Sequence, residues 1–81
     1  MKVRYDPETD SMTITLRDEP IQESDEVRPG VIADFGHDGG IVRFEILRAS
    51  AVVDDPRDVR FATTGRAGKG KVREGAGEPP A

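Results

Sequence analysis

A single histidine followed by an aspartate, His37-Asp38, is the nearest thing to a catalytic pair in this 81-residue chain. An imidazole oriented by a carboxylate can act as a general base. The pair lies in a Gly-His-Asp-Gly-Gly stretch, and both residue types also tolerate the left-handed backbone that turns require. A second set, Asp6, Glu8 and Asp10, places carboxylates at alternate positions as calcium loops do. It lacks the glycine of the sharp turn and the later bidentate Glu, and Pro7 stiffens it. Glu23, Asp25 and Glu26 around Ser24 form a third acidic run, suited to a metal, to a basic partner, or to a charged strand edge that discourages association between sheets. Gly39-Gly40 and the glycines at 65, 68 and 70 do not make a phosphate loop, because no Gly-Lys-Ser/Thr ending leads into a helix. From these sets no catalytic, cofactor-binding or metal-binding residue is assigned, and no cofactor is expected.

What positions these groups is a pattern that occurs twice. Residues 2–5 and 12–16 alternate polar and apolar around the acidic stretch 6–10, and residues 31–35 and 41–46 do so around 36–40. A period of two on both sides of a turn-rich loop predicts a β-hairpin. In the first, Val3 and Tyr5 share a face with Met12, Ile14 and Leu16. In the second, Val31, Ala33 and Phe35 are expected to oppose Val42, Phe44 and Ile46, with Gly36, Gly39 and Gly40 supplying positive φ. Pro20 ends the first hairpin. The stretch 21–27 has no clean apolar face and reads as an extended edge segment or a bulged strand. Pro29-Gly30 then turns into the second hairpin. Ser50 is expected to cap a helical turn over residues 51–53 that stops before Pro56, and Val59 and Phe61 to add a short strand or pack on the sheet. The fold class is mainly β (β-rich α+β): a small antiparallel sheet of two β-hairpins with a short C-terminal helical turn.

The length allows one domain, placed at residues 1–62, with a flexible Gly/Pro/basic tail at 63–81. A chain this short buries roughly 60–65% of its unfolded surface, so its core is marginal. With no Trp, one Tyr and three Phe, that core is closed by Val, Ile and Leu, and by a second copy or a partner where these fall short. The tail holds Arg66, Lys69, Lys71 and Arg73 against Glu74 and Glu78. Its net charge is therefore +2, which leaves −6 on the first 62 residues. An acidic body repels phosphate backbones, which argues against nucleic-acid binding through the folded part. There is no cysteine and no apolar run of the kind a signal peptide or membrane span needs, so a soluble cytoplasmic protein without a membrane partner is expected.

One surface stands out. On the face opposite the core, Ile32 and Ile41 are apolar among Thr13, Thr15, Asp34, Arg43 and Glu45. This mixed face is expected to be covered by the 49–53 turn or by another chain. The segments Tyr5-Asp6-Pro7-Glu8-x-Asp10-Ser11-Met12-x-Ile14-x-Leu16, Glu26-Val27-x-Pro29-Gly30-Val31-Ile32-x-Asp34-Phe35 and Asp38-Gly39-Gly40-Ile41-Val42-x-Phe44-Glu45-Ile46-Leu47-x-Ala49-Ser50 resemble the domain of unknown function 2283 family. The resemblance covers about residues 1–53, and Arg43 stands where the family commonly has Gly. It implies a small prokaryotic β-rich protein with no assigned catalytic residue, encoded in some members beside small toxins. Two functions are expected in order. The first is a non-enzymatic protein-binding module, pairing with itself as a homodimer or with a protein partner, in its most concrete form an antitoxin-like partner of a small basic toxin. The second is a small hydrolase or metal-dependent enzyme that brings His37, Asp38 and the acidic hairpin turns together at one end of the sheet.

Overall fold

The computed structural model describes residues 1–65. Five strands form one antiparallel sheet: β1 (Lys2–Asp6), β2 (Ser11–Thr15), β3 (Glu23–Arg28), β4 (Val31–Phe35) and β5 (Ile41–Ile46). They lie in the order β1-β2-β5-β4-β3. The mainly β class read from the sequence is therefore correct, and a single 3-10 turn at Ala49–Ala51 follows β5. The ambiguous acidic stretch becomes β3, an edge strand exposed along its whole length, with a bulge between Glu26 and Arg28.

The order follows from where each pattern can find a partner. The β1–β2 hairpin and the β3–β4–β5 meander are each local. Residues 16–22 carry the chain from β2 past β5 and β4 to the far edge, so β2 pairs with β5, as in a Greek key. This fixes the two ends of the sheet. The turn after β1, the Pro29-Gly30 turn and the 3-10 turn lie at one end, where the Leu47 amide donates to the Gly30 carbonyl at 2.8 Å. The second hairpin turn and the 16–22 connection lie at the other. There the Gln22 amide donates to Phe35 O at 2.7 Å.

Register sorts the side chains into rows across the sheet. One face carries Val3–Ile14–Phe44–Ala33 and Tyr5–Met12–Ile46–Val31, with Ile41 opposite Phe35. The other carries Arg4–Thr13–Glu45–Ile32–Glu26 and Lys2–Thr15–Arg43–Asp34–Ser24. Met12, Ala33, Val42 and Ala49 are buried, whereas Ile14, Val31, Phe35, Phe44 and Ile46 are only half-buried. Antiparallel sheets commonly keep one face wet, but the apolar face needs a second layer. Among the described residues no helix supplies that layer. Beyond the 3-10 turn the chain touches the apolar side at Tyr5, where the Arg57 guanidinium lies 5.9 Å from the ring centroid.

Four local expectations are corrected. Val42 does not stand opposite Phe35, because β5 carries an extra residue where the register shifts between Asp34 and Phe35, and Ile41 takes that place. Of the three glycines in the second turn only Gly39 has positive φ (84°). The Gly36 amide donates to Gly40 O at 2.9 Å and the Gly39 amide to Gly36 O at 3.0 Å. This is a three-residue loop closed by one left-handed residue. Ser50 does not cap the 3-10 turn, whose N-cap position is Arg48 and has no side-chain cap. Val59 and Phe61 form no strand and are more than half exposed. The expected division at residue 62 falls at the end of the described region, and residues 66–81 of the expected tail lie outside it.

Candidate functional site

The first acidic turn is built as a clasp. Asp6 Oδ1 accepts the Glu8 amide at 3.0 Å, which shapes the loop. Asp10 adopts a left-handed conformation (φ 56°), tolerable for Asp because its short side chain bonds locally. Its Oδ1 accepts the Tyr5 hydroxyl at 2.6 Å and the Ser50 amide at 3.0 Å, and its Oδ2 accepts the Ser50 hydroxyl at 2.6 Å. The Ala49 amide donates to Asp10 O at 2.8 Å. The hydrogen bond from the Ser50 hydroxyl, then that from Tyr5, hold Asp10 below the usual carboxylate range, and the same bond to Asp10 raises the Tyr5 phenol. Asp10 is thus committed to tying the first hairpin to the end of β5, across forty residues of sequence. The role of Ser50 was missed because a contact between distant turns has no local signal.

The second turn is closed in a similar way. Arg17 makes a bidentate pair with Asp38, Nη1 to Oδ2 at 3.0 Å and Nη2 to Oδ1 at 2.7 Å, and the Gly40 amide adds a third donor at 2.9 Å. Together, with Arg17 the largest influence, they pull the Asp38 pKa down to about 2. Asp38 is therefore taken by Arg17, and His37 stands exposed beside it. A shallow concavity of about 390 Å³ adjoins His37, with Glu23, Asp25 and Phe35 in its lining. The carboxylates of the first turn are at the opposite end of the sheet, so the convergence that the hydrolase reading requires does not occur. Among the described residues no three His, Cys, Asp or Glu side chains group to hold a metal ion.

The polar face has one feature the sequence did not announce. Asp34, in the middle of β4, has no solvent exposure on a face that is otherwise wet. Its register neighbours close over it. Ser24 Oγ donates to Oδ1 at 2.5 Å, and Arg43 Nε donates to Oδ2 at 2.8 Å. Arg43 also reaches Glu45 Oε2 through Nη2 at 3.2 Å. Burial pushes Asp34 up, but hydrogen bonds with Glu45, Ser24 and Arg43 outweigh it and hold Asp34 below the usual range. Glu45 is raised, chiefly by its hydrogen bond with Asp34 and then by burial. Arg43 is thus the cation of this cluster, and no buried side-chain polar atom among the described residues lacks a partner.

Of the five residues assigned to a contact surface, Thr13, Thr15, Ile32 and Arg43 do share the polar face. Ile41 does not join them. The extra residue in β5 reverses its parity and sets it opposite Phe35, with the apolar rows.

These features define an open, single-layer antiparallel β-sheet protein whose polar groups are spent largely on one another. The chain matches the family model described as a protein of unknown function (DUF2283) over residues 2–50, and it belongs to that family. The matched span stops at Ser50, the residue that closes the Asp10 clasp. Searches of curated proteins and of solved structures returned no match. No helix among the described residues is long and apolar enough to cross a membrane.

Proposed function

We propose that this chain is a non-enzymatic protein-binding module that docks through its apolar sheet face. The observation that carries the reading is the half-buried set Ile14, Val31, Phe35, Phe44 and Ile46, which lies on one side of a sheet for which no helix or second sheet among the described residues supplies another layer. Burying apolar surface gains about 25 cal/mol per Å², so a half-covered face of this kind is stabilised by a partner that covers the rest. The face of Thr13, Thr15, Ile32 and Arg43 is the weaker candidate, since Arg43 is already engaged by Asp34 and Glu45 and only Ile32 adds apolar area there.

A toxin-neutralising role is the most concrete form of this proposal. It is supported by the exposed acidic residues Glu23 and Asp25 of β3, opposite Phe35 and Ala33, which complement a small basic partner at the rim of the same face. The test compares three tagged chains in co-purification from the native host: wild type, Val31→Lys on the apolar face and Thr15→Glu on the polar face. Loss of the captured protein with Val31→Lys alone supports the proposal. Loss with Thr15→Glu alone moves the docking surface to the polar face and overturns it.

A further inference from the structure

The two edges of the sheet are built differently. β3 is guarded: it carries Glu23, Asp25 and Glu26, is bulged between Glu26 and Arg28, and runs into Pro29. Charged side chains, bulges and proline are the devices by which sheets prevent edge-to-edge pairing. β1 carries exposed charges, but of both signs (Lys2, Arg4 and Asp6), and it has neither a bulge nor a proline. Its five residues pair with β2 in unbroken register, and Pro7 comes only after its last residue. Among the described residues none of the turn and loop backbone hydrogen bonds reaches β1, so its outer row of amides and carbonyls is unpaired.

The sequence of this open edge is complementary to itself. Lys2, Arg4 and Asp6 project on the polar side and are exposed, while Val3 and Tyr5 project on the apolar side. We infer that β1 pairs with β1 of a second copy, antiparallel and two-fold symmetric about Arg4, to make a continuous ten-stranded sheet. In that register Lys2 of each copy opposes Asp6 of the other, and Val3 opposes Tyr5, so two ion pairs and two apolar pairs form at once. The two-fold axis is perpendicular to the sheet, so the apolar faces of both copies lie on the same side and merge. The neighbouring registers that keep the faces matched are worse. Centring on Val3 opposes Lys2 with Arg4 twice; centring on Tyr5 opposes Arg4 with Asp6 and Lys2 with Glu8 but carries the pairing beyond the end of β1, setting Val3 against Pro7, which has no amide hydrogen to donate. The Arg4–Arg4 contact at the axis is the one unfavourable pair. This inference uses the strand edge and does not depend on what docks on the apolar face.

Sedimentation equilibrium of the full chain, from low micromolar to near-millimolar concentration, tests it. The wild type is expected to show a reversible monomer–dimer equilibrium. Lys2→Glu turns two attractive pairs into repulsive ones and raises the dissociation constant about tenfold or more, and Lys2→Glu/Asp6→Lys restores it to within about threefold. Because Asp6→Lys also removes an acceptor from the first turn, a second measurement avoids that residue. The chain has no cysteine, so Arg4→Cys places a lone thiol on the axis and Asp25→Cys places one on the guarded edge. Mild oxidation is expected to yield covalent dimer with Arg4→Cys only. A wild type that stays monomeric throughout, a dimer indifferent to Lys2→Glu, or equal trapping at both cysteines overturns the inference.

Discussion

Replacing Arg43 by methionine isolates the energetics of the buried carboxylate on the polar face. Asp34 has no exposed side-chain surface and bonds to Arg43 at 2.8 Å and to Ser24 at 2.5 Å. Stripping a fully interior carboxylate of its cation costs about 3–5 kcal/mol. Arg43 is itself 36% exposed, so its loss opens a path for water, and Ser24 remains as a donor. The expected cost is therefore smaller, about 2–3 kcal/mol at neutral pH. An 81-residue chain commands about 4–12 kcal/mol in all. Asp34→Asn removes the charge instead of orphaning it, leaves Arg43 to Glu45 and water, and is expected to cost about 1–2 kcal/mol. The pH dependence separates the two. In the wild type the folded Asp34 pKa lies below its unfolded value near 3.8, so its contribution is complete above that value and fades as pH falls through the folded one. Without Arg43, burial is opposed only by Glu45 and Ser24, and the folded pKa moves up from its wild-type position. Acidification then neutralises Asp34 in the variant before it does so in the wild type, and the stability gap narrows. Urea unfolding followed by circular dichroism from pH 7 to pH 4 reads both quantities. If Arg43→Met is no worse than Asp34→Asn, or its deficit is unchanged across that range, the account of Asp34 is wrong.

The remaining expectations concern the turns and the apolar face. Asp10→Asn should move the Tyr5 phenol back toward 10.0 in an ultraviolet titration and cost the Ser50 amide its protection from hydrogen exchange, because both depend on the Asp10 carboxylate. Asp38 should titrate at about 2 by NMR in the wild type and move up toward 3.8 in Arg17→Gln, where the Gly40 amide still holds it down; its folded pKa is the lower one, so the Arg17–Asp38 pair supports the fold above about pH 4 and is lost as pH falls toward 2. Gly39→Ala puts a side chain at φ 84° and should destabilise by about 1–2 kcal/mol with no steric clash, a loss that Gly39→Asn reduces, as chemical denaturation would show. Phe44→Ala, in the row between Ile14 and Ala33, should cost about 2–3 kcal/mol in the same assay, below the range for full burial because Phe44 is half-buried.

Both hairpins were legible because alternation and turn residues are local. Residues 31–35 and 41–46 were bounded as found, and 2–5 and 12–16 to within a residue. The acidic strand β3 was half legible: its charges marked an edge, but without an apolar face nothing in its own pattern specified pairing. Strand order was not legible, since pairing β2 with β5 is a choice between distant segments that register alone reveals. One extra residue in β5 was enough to misplace Ile41 and Val42, since period-two reasoning carries a slip through every later position. The same limit hid both clusters. Tyr5, Asp10 and Ser50, and Ser24, Asp34 and Arg43, are scattered in sequence and meet only once the sheet has formed.

The crossing of residues 16–22 also sets a timetable for folding. The β1–β2 hairpin and the β3–β4–β5 meander each close short loops and can form early and separately. Joining them requires Ile14 to find Phe44 across the whole intervening chain, so the entropy of that closure falls on a single seam between β2 and β5. Truncations at Ile14 or Phe44 should therefore slow refolding, with high φ-values, whereas changes in β3 should act mainly by speeding unfolding. The Asp10–Ser50 clasp lies at one end of that seam, and it can close only after the two units have met.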